Sequence, residues 1–306
     1  MNLLKPNFWK KNSLIVFLLL PFTLITRLII FFKSINISYK PNISTICVGN
    51  IYLGGTGKTQ LVLKLDEILK RKYKTFVIKK YYRNQIDEQK LLAKNTNLIL
   101  PSKRIDGIKK IENSIKNLAI FDDGLQDKSI KYSTSIVCFS SISGVGNGKI
   151  LPAGPLREDL SKLKNYNMVF INGKKNTGLI RKIKKYNRKI KIFSGKYYLK
   201  NKKEFNSKSK YLAFCGIGTP ENFFYLLQEN GIKLAKKIIF PDHFNYKNSD
   251  IIKIKELASK NNLRIVTTEK DYMKVKKYKN FKTKFTNVDL NINNISNFKN
   301  FLIKNL

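Results

Sequence analysis

Gly54-Gly55-Thr56-Gly57-Lys58-Thr59 follows the apolar run Ile43 to Val48 and precedes Leu61-Val62-Leu63. This spacing predicts a buried strand running into a glycine-rich turn that opens a helix, an arrangement suited to a nucleoside triphosphate. Glycines let successive backbone N–H groups converge on phosphate oxygens, and the helix N-terminus adds positive potential. Lys58 can reach the β- and γ-phosphates, and Thr59 can offer its hydroxyl to Mg²⁺. Tyr52, Leu53, Gly54, Gly55, Thr56, Gly57, Lys58 and Thr59 form the predicted ATP-binding stretch. The strict pattern asks for glycine at position 52, where this chain carries tyrosine.

A second element has metal chemistry. Leu118-Ala119-Ile120-Phe121-Asp122-Asp123 is an apolar strand ending in paired carboxylates, the form of a Walker B element. Asp122 and Asp123 would face the phosphate loop across the sheet edge and, with Thr59 and Glu158, hold Mg²⁺ or its water shell. The stretch from Gly144 to Glu158 is rich in glycine and proline and closes on Arg157-Glu158. Loops of that length in a compact domain are usually functional or disordered. Arg157 could neutralise a transferring phosphate.

Two further places carry titratable groups. Asp87-Glu88 precedes Leu91-Leu92-Ala93 and reads equally well as acidic residues in the first turn of a helix. Phe240-Pro241-Asp242-His243-Phe244 follows a predicted strand and holds the only histidine in the chain, which by itself fits packing as well as catalysis. Thr267 to Asp271 reads as a capped helix start.

These groups need a frame. After an amphipathic helix near Thr59 to Lys72, short apolar runs recur at Thr75–Ile78, Asn97–Leu100, Leu118–Phe121, Ile136–Phe139 and Met168–Ile171. Strands alternating with helical stretches predict a parallel sheet with crossovers, which binds ligands at the carboxyl ends of its strands. A polar segment, Tyr197 to Lys210, then breaks the rhythm. A second series follows with Tyr211–Cys215, a helix near Glu221–Glu229, Lys237–Phe240, a helix near Ser249–Lys260, and Arg264–Thr268. The predicted fold class is α/β: a P-loop NTPase-like parallel sheet flanked by helices, a smaller second α/β domain and an N-terminal membrane-associated helix. The boundaries read as 1–36 for the apolar helix, 37–196 for the core, 197–210 for a linker and 211–306 for the second domain, with part of 284–292 returning to the linker.

Leu14 to Phe32 is nearly all apolar, flanked by Lys10-Lys11 and Lys33 and interrupted by Pro21 and Arg27. Such a helix would span roughly 28 Å, just enough for a bilayer core. Pro21 and Arg27 make a helix lying in one leaflet an equal reading. The chain has 306 residues and a net charge of +40, from 60 Lys+Arg against 20 Asp+Glu. That excess attracts phosphates, nucleic acid or an anionic membrane, although scattered solvated lysines account for most of it. No nucleic-acid module is recognisable. Cys47, Cys138 and Cys215 sit singly in apolar runs, which predicts reduced core residues with no zinc site or disulfide.

With these motifs in order, the chain resembles the tetraacyldisaccharide 4′-kinase family over nearly its whole length. The match consists of VGN-x3-GGTGKT at Val48–Thr59, DDGLQ at Asp122–Gln126, the loop Gly146–Glu158, NG at Asn172-Gly173, GIG-x-PE-x-FF at Gly216–Phe224, PDH at Pro241–His243 and TEKD at Thr268–Asp271. The family also lacks glycine at the position of Tyr52. Departures cluster in one region: Lys79-Lys80-Tyr81-Tyr82-Arg83 replaces an SRGYG-type segment, Ile86-Asp87-Glu88-Gln89 replaces a GDEP-like motif, and Asp127 stands where a histidine usually follows DDGLQ.

The resemblance implies transfer of the ATP γ-phosphoryl group to the 4′-hydroxyl of a tetraacyldisaccharide 1-phosphate in lipid A biosynthesis, with ATP and Mg²⁺ as cofactors. It places the protein at the cytoplasmic face of the bacterial inner membrane, with membrane lipids and the lipid disaccharide as partners and no specific nucleic acid or obligate protein partner. It makes Lys58 and Arg157 the groups that hold phosphate charge, and Asp87 the general base paired with His243 of the second domain. That pair would cross a domain cleft and require closure, which excludes water. Glu88, Arg104 and Gln126 are assigned to the substrate. Two other classes stay open on sequence: a nucleic-acid-stimulated P-loop ATPase, and a membrane-tethered P-loop protein whose altered Lys79–Gln89 region has lost acceptor chemistry.

Overall fold

The computed structural model describes residues 6–11, 13–33 and 38–306, so parts of the predicted 1–36 segment lie outside the described residues. The apolar run folds as two helices, α1 (Leu14–Leu19) and α2 (Thr23–Lys33). Leu20 to Phe22 form a turn between them. Pro21 lacks an N–H and cannot continue a helix ladder, which is why the single helix expected from Leu14 to Phe32 is broken. Among the described residues no helix is long and apolar enough to cross a membrane.

The chain divides into two compact units, the larger comprising 5–82, 92–196 and 291–306. Its strands are β1 (Ser44–Gly49), β2 (Lys74–Lys79), β3 (Leu98–Ile99), β4 (Asn117–Asp122), β5 (Thr134–Ser140), β6 (Met168–Asn172) and β7 (Lys191–Leu199). Their spatial order is β7-β6-β5-β1-β4-β2-β3, and every neighbouring pair runs parallel. Parallel neighbours need crossovers, and α3 (Lys58–Leu69) makes the first of them. β1, β4, β5 and β6 are buried along nearly their whole length, which is why they read as unbroken apolar runs rather than alternating ones. β1 lies between β4 and β5 with Val48 opposite Asp122, so the glycine-rich turn leaves the centre of the sheet beside the acidic end of β4.

β7 was not legible in the sequence. It follows the basic run Arg181 to Lys191, is only half-buried, and extends into the predicted linker through Tyr197 to Leu199. The chain enters the smaller unit, 83–91 and 197–290, in two places. The helix α4 (Ile86–Asn95) therefore starts in the smaller unit and ends in the larger, whereas the sequence reading kept 37–196 together. The helices α5 (Arg104–Lys109) and α6 (Thr177–Tyr186) belong to the larger unit.

The smaller unit is built on β8 (Lys210–Cys215), β9 (Lys233–Ile239), β10 (Arg264–Thr268) and β11 (Lys284–Thr286), ordered β11-β10-β8-β9 and all parallel. Helices α7 (Pro220–Glu229), α8 (Asn248–Lys260) and α9 (Glu269–Val275) connect them. Side chains alternate across β8, so Tyr211, Ala213 and Cys215 pack with Phe223, Phe224 and Leu227, while Leu212 and Phe214 pack with Tyr246, Ile251 and Ile254. Leu199 and Phe205 join the first of these cores, so the predicted linker at 197–210 is folded and anchored by its own apolar residues. A strand, β12 (Val288–Ile292), adds to the larger sheet beside β7, and α10 (Ile295–Lys304) closes the chain. All three cysteines are buried and free.

Candidate active site

The phosphate loop is held from outside by side chains. Gly57 caps α3 at φ 83°, a left-handed backbone that glycine adopts without cost, and no side chain caps the helix. Its first N–H groups are thereby left to an anion. Asn50 Nδ2 donates to the Gly54 carbonyl at 3.0 Å and to Thr56 Oγ1 at 3.0 Å. From the end of β6, Asn172 Nδ2 donates to the Thr56 carbonyl at 2.5 Å. Neither asparagine was assigned a role from sequence, although both follow or end a predicted strand where such folds place ligand-binding groups.

Asp122 is fully buried. Its Oδ2 accepts from Lys79 Nζ at 2.9 Å and from Thr59 Oγ1 at 3.5 Å, while its Oδ1 is buried with no hydrogen-bond partner. A buried carboxylate oxygen with open valency beside a threonine hydroxyl fits Mg²⁺, and Asp122 and Thr59 are the residues that would hold it. Among the described residues no group of three or more His, Cys, Asp or Glu is placed to hold a metal ion. The basic departure from the family pattern acquires a role here, because Lys79 is the buried partner of Asp122.

Asp123 has φ 59°, and its N–H donates to the Val48 carbonyl at 2.8 Å. A non-glycine residue in this region costs energy and tends to mark function. Lys58 Nζ lies 3.5 Å from Asp123 Oδ1, and Arg157 Nη1 donates to Oδ1 and Oδ2 at 3.1 and 3.3 Å. Burial would raise the Asp123 pKa, but the charges of Lys58, Arg157 and Lys79 outweigh it and hold the carboxyl at about 2.

The other predicted residues of this unit build the surrounding network. Glu158 is buried, with Oε1 accepting from Gln126 Nε2 at 2.6 Å and Oε2 from the Tyr166 hydroxyl at 2.9 Å, so protein donors already engage both oxygens assigned to metal. Gln126 also donates to the Asn50 carbonyl at 3.0 Å, which ties the phosphate loop to the turn after β4. Arg104 is buried and donates to Asp127 Oδ2 at 3.0 Å and to the Asp123 carbonyl at 2.6 Å. Assigned from sequence to the substrate, it serves in this structure to brace the Asp123 turn. Tyr52 is buried and bridges to Leu156, while Leu53 N–H donates to the Pro155 carbonyl at 2.8 Å.

In the smaller unit, His243 sits at φ 58° with its N–H on the Gly216 carbonyl at 3.1 Å. A Cβ on Gly216 would come within 3.0 Å of the Pro241 carbonyl and 3.2 Å of the Tyr246 hydroxyl, so the turn requires glycine there. Gly216 N–H donates to Asp271 Oδ2 at 3.0 Å, and Asp271 also accepts from Thr268 and Tyr246. The GIG and TEKD motifs are thus the support of the histidine turn.

His243 Nδ1 lies 2.9 Å from Oδ1 and 3.2 Å from Oδ2 of Asp87. Lys274 Nζ is 3.1 Å from Asp87 Oδ2, and Lys270 pairs with Glu88. Burial pushes the Asp87 pKa up, but the His243 hydrogen bond and the charges of His243, Lys274 and Lys270 bring it down to about 2. Burial lowers the His243 pKa, and its bond to Asp87 with the charges of Asp242, Asp87 and Glu88 reverses this to a net rise. The sequence reading put these partners in different domains; here both lie in the smaller unit, because 83–91 clusters with it. Lys274 was missed, although its spacing of four from Lys270 places both on one helix face.

A protein-family model described as LpxK, tetraacyldisaccharide-1-P 4'-kinase, matches residues 15–306. A tetraacyldisaccharide 4'-kinase of Pelagibacter ubique is 44% identical over 309 residues, covering 99% of this chain and 98% of the relative. One of Rickettsia bellii is 34% identical over 299 residues, covering 90% of each. Among solved structures, LpxK from Aquifex aeolicus, crystallised in complex with ATP, shares the fold with a TM-score of 0.69 at 21% identity, covering 95% of this chain and 99% of that one.

Proposed function

The chain belongs to the tetraacyldisaccharide 4′-kinase family, and from that premise we propose how its residues divide the work of ATP-dependent phosphoryl transfer to the 4′-hydroxyl of a tetraacyldisaccharide 1-phosphate. Phosphoryl transfer needs alignment and charge neutralisation more than covalent chemistry. Lys58 and Arg157 converge on the Asp123 carboxylate, and an incoming triphosphate exchanges for it as their anionic partner. Thr59 and Asp122 would hold Mg²⁺, which when bound neutralises charge on the β- and γ-phosphoryl oxygens. Glu158 sets the Arg157 loop through Gln126 and Tyr166.

The proton of the acceptor hydroxyl passes to the Asp87–His243 pair. Asp87 stays ionised at neutral pH and keeps Nδ1 of the ring engaged. Nε2 is 3.8 and 3.9 Å from Asp242 and Glu88, beyond hydrogen-bond range, and is the ring atom open to a hydroxyl. The carboxylate raises the proton affinity of the imidazole, which suits a base working near neutrality. The single observation behind this assignment is the Asp87–His243 hydrogen bond.

Membrane-surface association at the cytoplasmic leaflet, where a lipid acceptor would reside, is supported by α1 and α2. Leu14, Phe17, Leu18, Leu24, Phe31 and Phe32 are each more than half exposed on helices too short to span. Apolar side chains presented this way suit a segment lying in the interface plane.

Purified protein incubated with ATP, Mg²⁺ and tetraacyldisaccharide 1-phosphate should yield the 4′-phosphorylated lipid. ATP hydrolysis stimulated by RNA or DNA without lipid phosphorylation would overturn the reading.

A further inference from the structure

The N-terminal segment is fastened to the glycine- and proline-rich loop. Trp9 Nε1 donates to the Pro152 carbonyl at 3.1 Å. The backbone N–H of Asn147 donates to the Trp9 carbonyl at 2.8 Å, and Asn147 Nδ2 donates to the Phe8 carbonyl at 3.2 Å. The same amide donates to the Ala153 carbonyl at 2.9 Å and accepts from Lys149 N–H at 3.0 Å, so one side chain closes the loop on itself and on the N-terminal segment. Gly146 has φ +60°, and a Cβ there would sit 2.7 Å from the Trp9 carbonyl and 2.6 Å from Pro155 Cγ, so the contact is close enough to demand glycine. Five residues downstream of Trp9 the apolar helix α1 begins.

The other end of this loop is in register with the approach to the phosphate loop. Pro155 accepts from Leu53 N–H at 2.8 Å, and Arg157 N–H donates to the Ile51 carbonyl at 2.7 Å. Gly54 follows Leu53 directly. A continuous run of short contacts therefore links the segment that enters α1 to the backbone that enters the ATP turn.

We propose that Trp9 and Asn147 are positioning residues that strap the Gly146–Arg157 loop, and through it couple the docking of the apolar N-terminal segment to ATP binding. The proposal rests on Gly54–Thr59 being the ATP turn. Coupling is reciprocal: whatever the docked segment does for ATP affinity, ATP does for docking.

Trp9 is the only tryptophan in the chain, so its emission reads the strap without a label. In the full-length protein, ATP should make Trp9 harder to quench with acrylamide. Trp9→Ala should weaken ATP binding by at least about fivefold, the lower end of usual coupling strengths. Asn147→Ala should do the same, and the double variant should lose no more than either alone, because both cut one linkage. Trp9→Phe keeps an aromatic side chain but loses the Nε1 donor and guards against misfolding of the alanine variant; it should weaken ATP binding while leaving partition onto anionic vesicles unchanged. A tryptophan that acts only as a membrane anchor would give the opposite split, and that result overturns the strap. Wild-type quenching unaffected by saturating ATP overturns it as well. Failure of the underlying ATP-turn reading would be separately visible, as ATP binding retained by Lys58→Ala.

Discussion

Nδ1 of His243 lies 2.9 Å from Oδ1 of Asp87, across 156 residues of sequence and inside one compact unit. The carboxylate is held at about 2 while the imidazole is raised, so the pair rests as ionised acid beside a ring with heightened proton affinity.

Removing either partner should lower kcat by about 10²–10⁴-fold, the usual span for loss of a general base, with ATP binding retained. The sign of the pH effect is also set. On the proposed reading His243 would act unprotonated, so activity should fall as pH drops through its raised pKa; Asp87→Asn removes the main raising influence and should move that limb to lower pH. A pH profile of kcat/KM whose limb stays in place would show that Asp87 does not govern the ring.

Lys58 and Arg157 share the Asp123 carboxylate. Lys58→Ala should impair nucleotide binding itself, visible by calorimetry with ATP. Arg157→Ala should leave binding closer to wild type and cost about 10²–10³ in kcat, the scale of losing one donor aimed at developing charge. Equal losses in binding and turnover for Arg157→Ala would mean that it serves the ground state only.

Lys79 and Asp122 form an ion pair with side-chain exposures of 3% and 0%. Lys79→Met strands a buried carboxylate and should destabilise the larger unit by about 3–5 kcal/mol in denaturant unfolding. Asp122→Asn in the same chain should recover much of that loss, and Mg²⁺ should stabilise Lys79→Met more than the parent. Strictly additive effects of the two substitutions would contradict the pairing.

Deleting the residues before Asn36 should release the protein from anionic vesicles in a sedimentation assay, since α1 and α2 carry the exposed apolar side chains. Quantitative pelleting of the truncated chain would place membrane attachment elsewhere, with the general positive charge the first suspect.

The phosphate loop, the Asp122-Asp123 strand end and most strands of both units were legible because their signals are local. A glycine turn at a helix start and a fully buried parallel strand are written in a few consecutive residues, and the order of the motifs supplied the family. β7 escaped because a half-buried strand following a lysine-rich helix has neither alternation nor an unbroken apolar run. The single helix read over Leu14 to Phe32 is instead broken at Leu20 to Phe22, around Pro21.

Only the tertiary structure decided which polar group pairs with which. Glu158 has its two oxygens taken by Gln126 and Tyr166, Arg104 turns inward to Asp127, and Lys79 neutralises Asp122. It also brought Asp87 and His243 into one unit by sending 83–91 out of the segment that contains them. The physical reason is that a buried charge takes its pKa and its role from its neighbours, and those neighbours come from strands and helices far apart in sequence. The residue types determined which chemistry was available; packing determined which oxygens remain open to perform it.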